Sequence, residues 1–380
     1  MKRKCSKLIS MILAGALTAS VLAGCSGDQP PKDSQGASQE QGGTSQDSPS
    51  GGLRFAGDIV GQGVQALDDI VSEEEYVFKA MGGSFKIYND NFTADTQGTN
   101  VQTMASAGYD GLMLFGWNAT LYSTISNTMK EAKVPFVFFD QIPTDQEMIT
   151  KLEENEYYAG SVGVDNYQLG ANMAKRMLDA GIKKVLLLGG SVGDVVHDAR
   201  DNGFTETFEA GGGEILAKAR CTDPAEATTK EDDMLSGNSD AQATYCLTGD
   251  YAIAAIAAIE NHAGREMALY CSDTTTEAAQ AIIDGKIVCG DGGSKIATVI
   301  AAAVLYNYAN GNVIKDDSGK APNFSNIVAF EVNKENAQKY IDQFLHGHPL
   351  SEDEVRAFVA DGVNYKTFAD YIENFSLDGE

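Results

Sequence analysis

Positive charge is scarce in this chain. Only 28 Lys and Arg stand against 54 Asp and Glu in 380 residues, a formal net charge of −26. Such a surface argues against nucleic acid and anionic lipid headgroups as partners, and mainly implies solubility. Histidine is nearly absent too, with four residues: His197, His262, His346 and His348. Only His346 and His348 are close together, in a turn before Pro349 that reads as a solvated loop. A G-x-S-x-G elbow, a Walker loop and H-E-x-x-H are all missing. The glycine-rich stretch Gly189-Gly190-Ser191-Val192-Gly193 lacks the G-x-G-x-x-G spacing of a dinucleotide loop. No catalytic constellation, metal site or cofactor is therefore expected, and the chain reads as a non-enzyme. After residue 25 no apolar run is long enough to span a bilayer; Ala252–Ile259 stops at Glu260 and reads as a buried helix.

What the first residues do contain is an address. Lys2, Arg3, Lys4 and Lys7 precede an apolar run from Leu8 to Leu22, too short at roughly 15 residues for a finished transmembrane helix and suited to a secretory signal. The following Leu22-Ala23-Gly24-Cys25 resembles a bacterial lipobox. That resemblance implies cleavage after Gly24, lipid on Cys25, and an anchor on the outer face of the cell membrane. Without the four basic residues of the signal the net charge becomes about −30. Ser26–Gly52 consists of Ser, Gln, Gly, Asp and Pro with little else, too polar to offset its ordering entropy, and is expected to be a flexible linker. Of the remaining cysteines, Cys221, Cys246, Cys271 and Cys289, the last three lie in or at the end of apolar runs, and no two have a CxxC spacing. They read as small buried apolar residues, with a disulfide left open.

From Leu53 onward, short apolar runs alternate with helix-length segments. Expected strands are Leu53–Ile59, Phe85–Tyr88, Gly111–Phe115, Pro135–Phe139, Gly160–Val164, Lys184–Leu188, Glu214–Ala217, Ala243–Leu247, Ala268–Cys271 and Ile287–Cys289. Amphipathic helices fit between them: Leu169, Met173 and Met177 form one stripe, and several helices stop at a glycine such as Gly82, Gly181 or Gly285. Repeated βα units with continuous apolar strands predict parallel sheets covered on both faces. Ten strands are too many for one comfortable sheet, so the expected fold is α/β with two doubly wound lobes. Ligands of such sheets bind beyond the carboxyl ends of the strands.

The loops at those ends carry a family resemblance. Val134-Pro135-Phe136-Val137-Phe138-Phe139-Asp140 is followed by Asp165-Asn166-Tyr167-Gln168-Leu169-Gly170, then Arg200-Asp201-Asn202-Gly203-Phe204, Gly249-Asp250, Ser272-Asp273 and Asp284-Gly285-Lys286-Ile287. In order and spacing this resembles the type I periplasmic binding proteins, in particular the ribose/galactose-type sugar-binding components of ABC transporters, over about Leu53–Gly311.

The resemblance implies that Asp140, Arg200 and Asp273 hydrogen-bond sugar oxygens. Gln141 stands where the family often has Arg, and Gly249-Asp250 where it often has Asn-Asp, which leaves Asp250 a contact or a helix cap. Trp117, the only tryptophan, follows a strand and could stack on a pyranose. Asn91 and Asp291 are lesser strand-end candidates. The first loop, Gly61–Asp69, lacks the aromatic pair common in sugar binders, so Gln65 and Asp68 are the polar contacts expected there. Asp165-Asn166 reads as a helix N-cap.

The implied organisation is residues 1–24 signal, 25–52 lipidated Cys25 plus linker, 53–155 with 292–324 as the N-terminal lobe, and 156–291 with 325–380 as the C-terminal lobe. The three-segment hinge would cross near Asn155–Ser161, Gly290–Gly293 and Phe324–Phe330. The implied function is capture of a sugar by hinge closure and delivery to an ABC transporter permease, the membrane being touched through the N-terminal lipid only. Alternatives are a receptor feeding a sensor kinase or chemoreceptor, a nucleoside or amine as ligand, and an Asp140–Asp273 glycosidase pair. The segment Asn333–Glu380, rich in aromatics and acids, runs past the resemblance and is expected to form helices on a lobe.

Overall fold

Apolar strands separated by amphipathic helices assemble into two six-stranded sheets. The computed structural model describes residues 52–377 except 263 and 328. The expected signal, Cys25 and the expected linker up to residue 51 lie outside the described residues. The strands are β1 (Arg54–Ile59), β2 (Ser84–Asn89), β3 (Gly111–Phe115), β4 (Phe136–Asp140), β5 (Tyr158–Val164), β6 (Lys184–Gly189), β7 (Glu214–Arg220), β8 (Ala243–Cys246), β9 (Ala268–Cys271), β10 (Cys289–Gly292), β11 (Asn323–Ile327) and β12 (Phe330–Asn333). The first sheet runs β11-β5-β4-β3-β1-β2, all parallel. The second runs β12-β10-β9-β8-β6-β7, parallel except that β12 is antiparallel to β10. The expected pair of doubly wound lobes is therefore present.

Central strands such as β3 and β8 are buried along their whole length because helices cover both faces. Helix Lys295–Ala309 shows why the chain returns to the first sheet after β10. It is buried from Lys295 to Leu305 and packs between β3–β5 and helix Gln65–Ala80, a setting that its predominantly apolar sequence suits, with Lys295 donating to the Phe344 carbonyl and Asn307 to those of Ala303 and Phe358.

The chain passes between sheets after β5, after β10 and between β11 and β12. The first passage thus follows Val164 rather than lying near Asn155–Ser161, because β5 pairs with both β4 and β11. A further passage occurs in the tail. Helix Ala337–Tyr340 packs on helix Thr276–Ile283 beside the second sheet, whereas helix Glu352–Ala357 packs on Gln65–Ala80 and helix Tyr365–Asn374 on β11. The last helices therefore belong with the first sheet, not with the C-terminal lobe as expected. The turn containing His346 and His348 is also not simply solvated. His348 stacks on Tyr76 at 3.5 Å and its Nδ1 lies 2.8 Å from Glu73 Oε2, while His346 is exposed.

Cys221, Cys246, Cys271 and Cys289 are all free and buried, although Cys246 and Cys271 are register partners on adjacent strands. No helix of the described residues is long and apolar enough to cross a membrane.

Candidate ligand-binding site

Two helices carry the motifs that position the site, and two glycines set how closely they meet. Helix Asn166–Asp179 follows β5 and helix Val195–Ala210 follows β6. A Cβ on Gly170 would stand 2.0 Å from the Arg200 carbonyl oxygen, and one on Gly203 would stand 1.9 Å from that of Tyr167. Only glycine permits this backbone contact, and it places Arg200 beside Asn166. The Arg200 Nε donates to Asn166 Oδ1 at 3.0 Å. Its Nη1 and Nη2 grip Asp273 as a fork, at 2.5 Å to Oδ2 and 3.0 Å to Oδ1, and Nη1 also donates to the Leu247 carbonyl at 2.9 Å. The Arg200 side chain is 4% exposed and that of Asp273 31%, so the guanidinium is shielded and its fork well specified while the carboxylate stays open to the cavity.

Asp140 ends β4 and Asp273 follows β9, and both adopt left-handed backbone, with φ of 60° and 47°. For a non-glycine residue that conformation costs on the order of 1 kcal/mol. Both residues line a cavity between the two sheets, with a volume of about 160 Å³, that also touches Arg200. Burial pushes the Asp140 carboxyl up to about 7; the Asp273 charge adds to the rise and Arg200 opposes it. Asp291, in β10, is buried and pushed up to about 6, again mainly by burial. It accepts from Ser272 Oγ at 2.8 Å and from the Asp273 backbone N–H at 3.1 Å, and so holds the Asp273 turn in place.

Of the other expected residues, Gln141 and Gln65 also line this cavity. Gln141 Oε1 is buried without a hydrogen-bond partner. Gln65 Nε2 donates to Thr276 Oγ1 at 2.8 Å, joining the first helix of one sheet to a helix of the other. Trp117 lines a second, adjoining cavity of about 540 Å³, with its Nε1 donating to Asp90 Oδ2 at 3.0 Å.

Three expected residues stand apart from both cavity walls. Asp68 is exposed and accepts from the Gly63 N–H at 3.1 and 3.2 Å. Asn91 is exposed in a left-handed turn (φ 51°), its N–H donating to Asn89 Oδ1 at 2.8 Å. Asp250 is exposed in the first turn of helix Gly249–Asn261.

Sequence reasoning missed Asn166, Asp69, Thr274, Lys295, Tyr340 and Phe344, all of which line the smaller cavity. Asp165 is the true helix cap, accepting from the Gln168 N–H at 2.8 Å, which frees Asn166 to hold Arg200. Asp69 lies four residues after Gln65, on the same helical face, a spacing that singles it out over Asp68. Lys295 is buried and its ammonium pKa is lowered by burial, with Glu73 and Asp69 opposing; it donates to the Phe344 carbonyl.

Residues 65–313 match the family described as the periplasmic binding protein domain. Among curated proteins none matches the chain in sequence. Solved structures share the fold at low identity. An ABC transporter periplasmic solute-binding protein from Actinobacillus succinogenes with bound D-allose matches with a TM-score of 0.66 at 18% identity, covering 76% of this chain and 100% of its own. A galactofuranose-binding protein gives 0.65 at 16%, over 77% and 99%. The periplasmic binding protein component of the arabinose ABC transporter from Shewanella sp. ANA-3 gives 0.64 at 16%, over 85% and 99%. With the domain match spanning more than half the chain and both sheets in the corresponding arrangement, this protein belongs to the periplasmic binding protein family and has its type I, two-lobed fold.

Proposed function

We propose that this protein captures a sugar or related polyol between its two lobes and delivers it to an ABC transporter permease, held at the outer face of the membrane by lipid on Cys25. The observation that carries the reading is the Arg200–Asp273 fork opening on the same cavity as Asp140. The bonds to Asp273, Asn166 and Leu247 occupy four of the five guanidinium N–H groups, leaving one Nη2 N–H for a ligand oxygen. Asp140 and Asp273 supply acceptors for hydroxyl donors, and Gln141 Oε1 supplies another. Such a mixed set of donors and acceptors suits vicinal hydroxyls, whose loss would leave these groups desolvated and unpaired. The solved relatives named with D-allose, galactofuranose and arabinose point the same way.

Gln65 with Thr276 gives closure a direct bond between the lobes. The passages after Val164, after Gly292 and between Ile327 and Phe330 would act as the hinge. Thermal-shift screening against monosaccharides and polyols, followed by calorimetry of the hits, tests the reading. A ligand bound only by the folded state raises the melting temperature by mass action. No shift with any carbohydrate would overturn it. Delivery is tested separately, by uptake of the labelled ligand in cells lacking this protein.

A further inference from the structure

The two cavities adjoin. Asp140, Gln141, Val164, Asn166 and Val196 belong to both walls. Both mix apolar and polar groups: the smaller joins the Arg200–Asp273 pair to Phe115, Tyr340 and Phe344, and the larger joins Trp117, Tyr122 and Tyr167 to Asp145 and Asp165. Each aromatic ring there has its polar tip already engaged: Trp117 with Asp90 at 3.0 Å, Tyr122 with the Gly116 carbonyl at 2.5 Å, and Tyr167 with Glu206 at 2.6 Å. The rings are thus held in position before any ligand arrives, which reduces the ordering cost of binding. Tyr167 and Val195 nevertheless remain 42% and 60% exposed. A single sugar ring on the Arg200–Asp273 pair would leave the Trp117 and Tyr167 side of the larger cavity in water. Gln141, whose Oε1 is buried and unpartnered, belongs to both walls.

Resting on the sugar-binding reading above, we propose that the ligand carries two rings. One is a sugar in the smaller chamber, and the second is joined to it and stacks among Trp117, Tyr122 and Tyr167 in the larger one. Gln141 Oε1 accepts a hydroxyl donor near the junction. A stacked second ring is either a second sugar or a nucleobase, since both present a face to aromatic side chains.

Calorimetry on the folded protein tests this with three sets of probes: free hexoses and pentoses, disaccharides containing them, and nucleosides. The expected result is a disaccharide or a nucleoside that binds at least tenfold more tightly than its own free sugar. Ala199 lines only the larger chamber, so Ala199→Phe is expected to reduce the two-ring ligand to the affinity of the free sugar and to leave the free sugar within about twofold. Thr144→Trp fills the same chamber from an exposed loop and is expected to act alike, which guards against a folding defect in the helix variant. Free sugars binding as tightly as every two-ring probe would overturn the inference and leave the sugar reading standing. So would two-ring binding unaffected by both filling variants. Binding of no carbohydrate at all would remove the sugar reading and this inference with it.

Discussion

Gly203 and Tyr167 touch backbone to backbone, with the Gly203 Cα so close to the Tyr167 carbonyl that a methyl group would stand 1.9 Å from the oxygen. The contact fixes the spacing of the two helices between which Arg200 reaches Asn166. Gly203→Ala is expected to cost about 1–3 kcal/mol of stability by overpacking. It should also weaken ligand binding, because the helices must part where Arg200 is held. Gly98 is the control: it lies inside helix Ala94–Ser106 with open space around it, so Gly98→Ala should gain roughly 0.5–1 kcal/mol and leave affinity unchanged. Urea denaturation and calorimetry of both variants decide the matter, and equal stabilities would refute the close-packing argument.

Removing the charge partners at the ligand should be felt in binding. A hydrogen bond to a charged group is worth roughly 1.5–3 kcal/mol, so Asp140→Ala and Arg200→Ala are each expected to weaken binding on the order of 10- to 150-fold. Arg200→Lys should fail to restore it, because an ammonium cannot reproduce the fork to Asp273 while still reaching Asn166. Near-wild-type affinity in either alanine variant would remove the residue from the site.

The arrangement of this site was legible in part, and the misses have physical reasons. Asp140, Arg200 and Asp273 stand at strand ends or in a motif, so their neighbourhood follows from the order of βα units. The helical phase of the first loop was harder to see: Gln65 and Asp69 share a face that meets the cavity, while Asp68 turns back to cap Gly63. The strands β11 and β12 escaped the pattern because, as edge strands with Asn, Ser and Glu among their residues, they lack the continuous apolar run of a central strand. The apolar run Ile287–Cys289 predicts β10 too early, because Gly290 and Gly292 look like a turn. They are strand residues whose missing Cβ makes room for Thr274 and Tyr340.

Stability should depend on pH through the buried carboxyls. Asp140 is pushed up to about 7, Asp291 to about 6 and Glu231 to about 7, each chiefly by burial. The folded state therefore binds these protons more tightly than the unfolded chain, where the groups titrate near 4. Their contribution to stability is complete below about pH 4 and is lost as pH rises through 6 to 7. The ligand-free protein is expected to lose melting temperature between pH 5 and pH 8 on account of these groups, and Asp140→Asn should make that decline shallower. A variant whose decline matches the wild type would show that Asp140 ionises without cost in the folded protein.

The tail offers the last test, because its packing distinguishes an integral part of the first lobe from an appendage. Phe368 lies in helix Tyr365–Asn374 and is fully buried, stacked on Phe358 at 5.5 Å and tilted against Phe324 of β11 at 6.1 Å. Its neighbours thus come from an edge strand of the first sheet and from the tail itself, and truncating it would leave a cavity that neither can readily fill. Phe368→Ala is expected to cost about 3–5 kcal/mol, seen as a lower midpoint of the cooperative unfolding transition. If the tail were a separable appendage, the main transition would keep its midpoint, and only local signals from the last helices would change.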